Sequence, residues 1–166
     1  MLKKKFFHYL KELVFVVIFM SIVANLLSLY KSQTLNKEPL QLRKFKLIDN
    51  STYTLDPTKP IIIHFWATWC PTCKLEASNI EYLSKYYNVI TIAVNSGSDY
   101  EIYNYLQEHN LHFKVVNDKD SGLSQLFKIQ GYPTTFIYDR KQNLRFSEVG
   151  YTSTLGLFSR MLWCDL

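Results

Sequence analysis

The stretch IIIHFWATWCPTC, residues 61–73, carries the strongest structural signal in the chain. Its first six residues are β-branched or aromatic apart from His64, which is typical of a strand buried at the centre of a sheet. Two cysteines follow, Cys70 and Cys73, and Pro71 between them suits the first position of a helix. The stretch therefore predicts a buried strand that leads into a cysteine pair at the start of a helix.

The spacing of the two cysteines suits redox chemistry. Residues i and i+3 at a helix start lie on one face, and a disulfide needs Cα atoms roughly 4.4–6.8 Å apart. The unpaired N–H groups and the dipole at a helix N-terminus lower thiol pKa values from about 8.5 to about 3.5–7.5. Because the thiolate attacks in disulfide exchange, Cys70 is predicted to attack and Cys73 to resolve the mixed disulfide.

The alternative for this pair is half of a zinc site, which needs four ligands. The other candidate ligands, Cys164, His109 and His112, lie far along the chain. Redox chemistry is therefore favoured, and no metal or other cofactor is predicted. Cys164 is interpreted as a half-buried apolar residue of the last helix, with pairing to another chain as its alternative.

Strand-like and helix-like segments alternate around the cysteine pair. An early hairpin is predicted at 45–48 and 52–55, and Ser98 before Glu101 has the spacing of a capping box. The later predicted strands are 61–66, 89–94, 113–116, 134–138 and 144–149, and the predicted helices are 71–87, 98–109, 121–127 and 152–163. This order predicts one α/β domain over 40–166, with a mixed central sheet flanked by helices.

The N-terminal residues predict a membrane anchor. Residues 13–29 are uncharged, at the lower limit of length for a transmembrane helix, and the basic segment 1–12 precedes them. A cleaved signal peptide is disfavoured because Ile22 would occupy position −3 of the best cut. We therefore expect a cytoplasmic N-terminus, a single span over 13–29, a polar linker over 30–39 and an exported domain.

Composition excludes several classes of protein. The chain has 166 residues, 48% hydrophobic and 20% charged, which rules out a disordered or collagen-like chain. Three cysteines are too few for a small secreted domain held by disulfides. The net charge of +5 comes mostly from the N-terminal segment, so no nucleic-acid partner is predicted.

The cysteine segment FWATWCPTCK, residues 65–74, resembles the active site of the thioredoxin superfamily. It is most similar to the membrane-anchored bacterial branch that includes TlpA-like and cytochrome c maturation proteins, and closest to the thioredoxin-like protein of suppressor-of-copper-sensitivity clusters. A second segment, GYPTT at 131–135, matches the cis-proline loop of that family. The resemblance covers 40–163 and implies a thioredoxin-like fold. It also implies that Tyr132, Pro133 and Thr134 face the cysteines and bind an extended client segment.

The resemblance assigns three further positions. Glu76 matches an acid that tunes the cysteines in the cytochrome-maturation branch, although an ordinary acid in the first helical turn is the alternative. His64 stands where thioredoxin has a buried aspartate that relays a proton, and a satisfied core histidine is the alternative. Trp69 and Trp66 are expected to pack around the cysteines.

The function implied by the resemblance is reduction of disulfides in client proteins at the periplasmic face of a bacterial inner membrane. A DsbD-like transmembrane protein would donate electrons, and apocytochrome c or copper-stress proteins would be the clients. The alternative is a copper(I)-binding or copper-delivery module, because soft thiolates bind copper(I). The related copper chaperones use CxxxC with a distant histidine, and peroxiredoxins have threonine where this chain has Ala67, so both classes fit less well.

Overall fold

The computed structural model describes residues 2–56 and 58–165. Its elements alternate between strands and helices after a long N-terminal helix. In chain order they are α1 (Leu2–Ser32), β1 (Lys44–Lys46), β2 (Thr52–Thr54), β3 (Ile61–Trp66), α2 (Pro71–Ser84), β4 (Asn88–Val94), α3 (Asp99–Glu108), β5 (Lys114–Asp118), α4 (Gly122–Leu126), β6 (Thr134–Tyr138), β7 (Leu144–Val149) and α5 (Thr154–Asp165).

The central sheet has five strands in the order β5-β4-β3-β6-β7. Strand β3 pairs in parallel with β4 and antiparallel with β6, so the sheet is mixed, and β1 and β2 form a separate antiparallel hairpin. This is a thioredoxin-like α/β fold, as the sequence predicts. All six residues of β3 are buried, because helices and loops cover both faces of the central strand.

Alternate residues of β3 supply the two apolar clusters of the domain. Ile62 and Trp66 belong to the cluster that contains Cys70 and Cys73, whereas Ile61, Ile63 and Phe65 belong to the cluster on the opposite face. The end of β3 thus fixes the position of the cysteine pair, because the pair follows this strand and begins helix α2.

Within the domain, helix boundaries differ from the predicted ones by three residues at most. Helix α2 ends at Ser84 rather than residue 87, and α5 begins at Thr154 rather than 152. The backbone N–H of Thr152 is bonded to the side chain of Glu76, so Thr152 remains outside the last helix. The predicted capping box of Ser98 and Glu101 is confirmed at the start of α3.

The N-terminal helix is longer than the apolar stretch that predicts it. Within the described residues, one helical segment, His8–Ser32, is long and apolar enough to cross a membrane. The helix continues into the stretch predicted as a polar linker, 30–39, and Leu35 in that stretch is buried against the domain. An apolar side chain among polar ones thus attaches the predicted linker segment to the domain.

Candidate active site

Cys70 and Cys73 lie after the end of β3, at the start of α2. Cys70 is the N-cap residue of α2, its backbone is extended, and its Sγ accepts a hydrogen bond from the backbone N–H of Cys73 at 3.2 Å. Pro71 occupies the first turn, where a missing N–H costs no helical hydrogen bond. The two cysteines form a disulfide with Cα atoms 5.3 Å apart. When the pair is reduced, the same N–H and the helix dipole favour a thiolate on Cys70.

The loop before the cysteines is fixed by contacts to the end of β4. Thr68 donates its backbone N–H to Ser96 Oγ at 3.1 Å, and Trp69 donates its indole N–H to the carbonyl of Asn95 at 3.1 Å. Ser96 is buried and in turn bonded to the carbonyl of Val94. Neither Asn95 nor Ser96 is predicted as a site residue from the sequence, although the turn after a parallel strand is the usual place for such contacts.

The loop at 131–133 contacts the residue before Cys70. The Tyr132–Pro133 peptide is cis, and the ring of Tyr132 packs edge-on against Trp69 with centroids 5.7 Å apart. Pro133 accepts a hydrogen bond at its carbonyl from the N–H of Gly150 at 2.8 Å, and Thr134 Oγ1 donates to the carbonyl of Gly131 at 2.7 Å. These bonds hold the loop at the start of β6, the strand that pairs with β3.

The two tryptophans have different environments. Trp69 is 59% exposed beside the disulfide and offers an aromatic surface to an approaching chain. Trp66 is buried and packs on Tyr105 and Phe113, with ring centroids 5.5 and 5.8 Å away. Trp66 is therefore a core residue, whereas Trp69 lies at the rim of the site.

Glu76 is a fully buried carboxyl group on α2, three residues after Cys73. Its Oε1 accepts a hydrogen bond from the N–H of Thr152 at 3.3 Å, and its Oε2 has no hydrogen-bond partner among the described residues. Burial raises the pKa of Glu76 to about 8; the Thr152 hydrogen bond opposes this and the charge of Glu148 adds to it. The interpretation of Glu76 as an ordinary acid of the first helical turn is wrong, because the first turn of α2 holds no acidic residue and Glu76 lies one turn later.

His64 is a buried, neutral histidine. It is 2% exposed, and its Nδ1 lies 2.9 Å from Thr135 Oγ1 on the neighbouring strand β6. Burial lowers the pKa of His64 to about 3. Holding a proton on this ring at pH 7 would cost about 5 kcal/mol at 1.36 kcal/mol per pKa unit. These contacts match the alternative of a satisfied core histidine.

Cys164 lies far from the disulfide in the chain and is packed in the core. It is 7% exposed and joins Leu157 and Met161 on the inner face of α5. Burial raises the pKa of its thiol, which opposes reactivity. Among the residues that the structure describes, no group of three or more His, Cys, Asp or Glu side chains is arranged to hold a metal ion.

A family comparison identifies the domain that carries this site. The model of the AhpC/TSA family matches residues 34–147, which include the cysteine pair and the cis-proline loop. The chain belongs to the AhpC/TSA family. Within that family its relatives are thioredoxin-like proteins and thiol-disulfide oxidoreductases, and this chain is a protein-disulfide oxidoreductase of the same type.

Individual members of the AhpC/TSA family match most of the chain. A thioredoxin-like protein of Haemophilus influenzae is 30% identical over 133 residues, which are 76% of this chain and 79% of that protein. The thiol:disulfide interchange protein DsbE of Escherichia coli is 28% identical over 152 residues, or 81% and 82% of the two chains. Several other relatives match over roughly half of their own length. The crystal structure of StoA from Bacillus subtilis has the same fold, with a TM-score of 0.65 at 19% identity over 78% of this chain and all of that one.

Proposed function

We propose that this oxidoreductase is tethered to a bacterial inner membrane and reduces disulfides of client proteins on the periplasmic side. The observation that carries the proposal is the buried carboxyl of Glu76, one helical turn after Cys73. The apolar helix α1 supports the tether, and the similarity to the interchange protein DsbE supports the exchange of disulfides with other proteins. A membrane-embedded dithiol protein of the DsbD type would return electrons to the site.

In the reducing half of the cycle, the Cys70 thiolate attacks one sulfur of a client disulfide. A mixed disulfide between Cys70 and the client forms, and the other client sulfur leaves as a thiolate that takes a proton from water. Cys73 then loses its proton and attacks Cys70, which releases the second client thiol and restores the Cys70–Cys73 disulfide. Two electrons pass from the protein to the client.

Glu76 has the chemistry required to carry the proton of Cys73. Residues i and i+3 on a helix have Cβ atoms about 5–6 Å apart, so the carboxyl lies within reach of the thiol directly or through one water. A pKa of about 8 is close to that of a thiol, about 8.5, so transfer in either direction is nearly isoenergetic. Glu76 can thus accept the proton when the disulfide forms and return it when the disulfide is reduced.

The same carboxyl favours a reductant over an oxidant. Oxidants of this superfamily owe their high potential to a stabilised reduced form, that is, to a well-stabilised thiolate. A second negative charge near the cysteines, available as Glu76 ionises near pH 8, destabilises a thiolate. We therefore expect the potential to move toward the reducing end of the superfamily range, which runs from about −270 to about −120 mV, as the pH rises through about 8.

A redox titration tests the proposed function. The full-length protein in detergent is equilibrated with mixtures of reduced and oxidised glutathione, and the dithiol fraction is counted by alkylation. Reduction of insulin disulfides is followed in parallel, with copper(I) titration of the dithiol form as the comparison. A disulfide that never equilibrates with glutathione, or a potential near the oxidising end, would contradict the proposal; tight copper(I) binding without turnover would favour the copper module.

Replacing His64 with Leu is expected to affect stability rather than exchange. The change leaves Thr135 Oγ1 without this partner in a buried position, which costs about 1–3 kcal/mol of unfolding free energy. The rate of insulin reduction should change less than about threefold, because a histidine with a pKa of about 3 carries no proton at pH 7. The double variant with Thr135→Val is the control and should recover part of the lost stability. A large loss of rate in a stably folded His64→Leu protein would contradict this expectation and would support the interpretation of His64 as a proton relay.

A further inference from the structure

The end of helix α1 is bonded to the sheet edge beside the candidate active site. Ser28 Oγ accepts the backbone N–H of Val149 at 3.0 Å and donates to Glu148 Oε2 at 3.5 Å. Val149 is paired with Thr134 in the sheet, and the next residue, Gly150, donates its N–H to the carbonyl of Pro133. Two hydrogen bonds therefore connect the anchor helix to the cis-proline peptide, one from the Val149 N–H to the Ser28 hydroxyl and one from the Gly150 N–H to the Pro133 carbonyl.

The segment after α1 is also attached to the domain. The backbone N–H of Asn36 donates to the carbonyl of Phe127 at 3.1 Å, and its side chain donates to the carbonyl of Leu126 at 3.1 Å. Leu35 and Leu40 are each only 4% exposed. The chain from the anchor to the first strand thus follows the domain surface, and the anchor has a defined attachment point.

The length of the apolar stretch limits where this attachment point can lie. The 17 uncharged residues from 13 to 29 give a helix of about 25 Å at about 1.5 Å per residue, while the hydrocarbon core of a bilayer is about 30 Å thick. The helical segment His8–Ser32 extends this stretch on both sides, and Ser28 lies four residues, or about 6 Å, from its C-terminal end. Ser28 is the second-to-last residue of the stretch, so it lies at the bilayer surface, and the end of β7 bonded to it lies there too.

We infer that the docked anchor holds the face with the Cys70–Cys73 disulfide at the membrane surface, where it exchanges disulfides with a partner whose thiols lie at or within the bilayer. The inference rests on the proposed function, because it states where the exchange occurs. In that exchange one partner thiolate attacks the disulfide and forms a mixed disulfide. The second partner thiol attacks that bond, and two electrons and two protons pass to Cys70 and Cys73. A flexible tether would instead spread the same site through a large volume and lower its effective concentration at the surface.

Two insertions at different positions distinguish an anchor helix that is docked on the domain from one that only tethers it. A flexible Gly-Ser segment of about twelve residues is placed between Leu27 and Ser28 in one variant and between Lys37 and Glu38 in the other. The first lets Ser28 leave the membrane together with the domain, and the second leaves Ser28 bonded to β7. Each protein is reconstituted in liposomes that contain a phospholipid with a thiol headgroup. Reduction of the disulfide by this lipid is compared with reduction by soluble 2-mercaptoethanol.

The ratio of the lipid-thiol rate to the soluble-thiol rate is the readout. We expect the insertion before Ser28 to lower this ratio by about tenfold or more, and the insertion after Lys37 to leave it within about twofold. Equal losses in both variants, or no loss in either, would overturn the inference. The soluble-thiol rate reports the exchange chemistry by itself, so its loss in the unmodified protein would instead overturn the proposed function. Ser28→Leu repeats the test without an insertion and should also lower the ratio.

Discussion

Replacing Cys73 with Ala in the reduced protein is expected to trap client proteins on Cys70 as stable mixed disulfides. The thiolate of Cys70 keeps the N-terminal position of α2, so the attack proceeds. The thiol that would release the client is gone, because Cys73 is the disulfide partner of Cys70. The multiple-turnover rate of insulin reduction should fall on the order of 10³-fold or more, because removing one residue of a covalent catalytic unit disables the whole unit.

The trapped species are measured on non-reducing gels after acid quenching and alkylation of a membrane preparation. Cys70→Ala is the matched control and should trap nothing, since the attacking sulfur is absent. Cys164→Ala should behave like the unaltered protein, because that thiol is buried in the core. Adducts of equal yield in Cys70→Ala would show that another thiol makes them and would contradict the assignment of Cys70.

The features that the sequence predicts best are encoded within short segments. The apolar run before Cys70, the proline after it and the glycine-tyrosine-proline motif at 131–133 each specify a local conformation, and their separation is the one the family requires. The sheet order follows from alternation of strands and helices, because parallel neighbours need a helical crossover. These local rules suffice to place the disulfide beside the cis-proline loop.

The features that sequence reasoning leaves open depend on residues far apart in the chain. Glu76 is held by the backbone of Thr152, 76 residues later, so no local pattern distinguishes it from an exposed helical acid. The neutral state of His64 depends on complete burial between two strands that are distant in sequence. The docking of Ser28 on β7 spans 121 residues, and an isolated serine near the end of an apolar helix carries no signal for it.

Glu76→Gln is expected to change the pH dependence of stability. Burial raises the pKa of Glu76 from 4.5 to about 8, so between these values the folded protein holds a proton that the unfolded chain releases. The stability contributed by this group is complete below about pH 4.5 and is lost as the pH rises through about 8, by about 4–5 kcal/mol in total. Gln keeps the hydrogen-bond acceptor for Thr152 and cannot ionise. The variant should therefore gain about 4 kcal/mol of unfolding free energy relative to the unaltered protein between pH 5 and pH 9.

The same substitution should affect exchange in the opposite sense, which separates a functional carboxyl from a structural one. Without a group to take the proton of Cys73, release of the client from Cys70 should slow by about 10²-fold at pH 7, even though the fold is more stable at high pH. Urea unfolding of the oxidised protein at pH 5, 7 and 9, in a Cys164→Ala background that prevents disulfide reshuffling, gives the first quantity. Single-turnover release of a client peptide gives the second. Glu108→Gln, at an exposed acid of α3, is the control for the exchange of a carboxyl for an amide. A variant that lost stability at every pH and kept its release rate would make Glu76 a packing residue and remove the observation on which the proposed proton transfer depends.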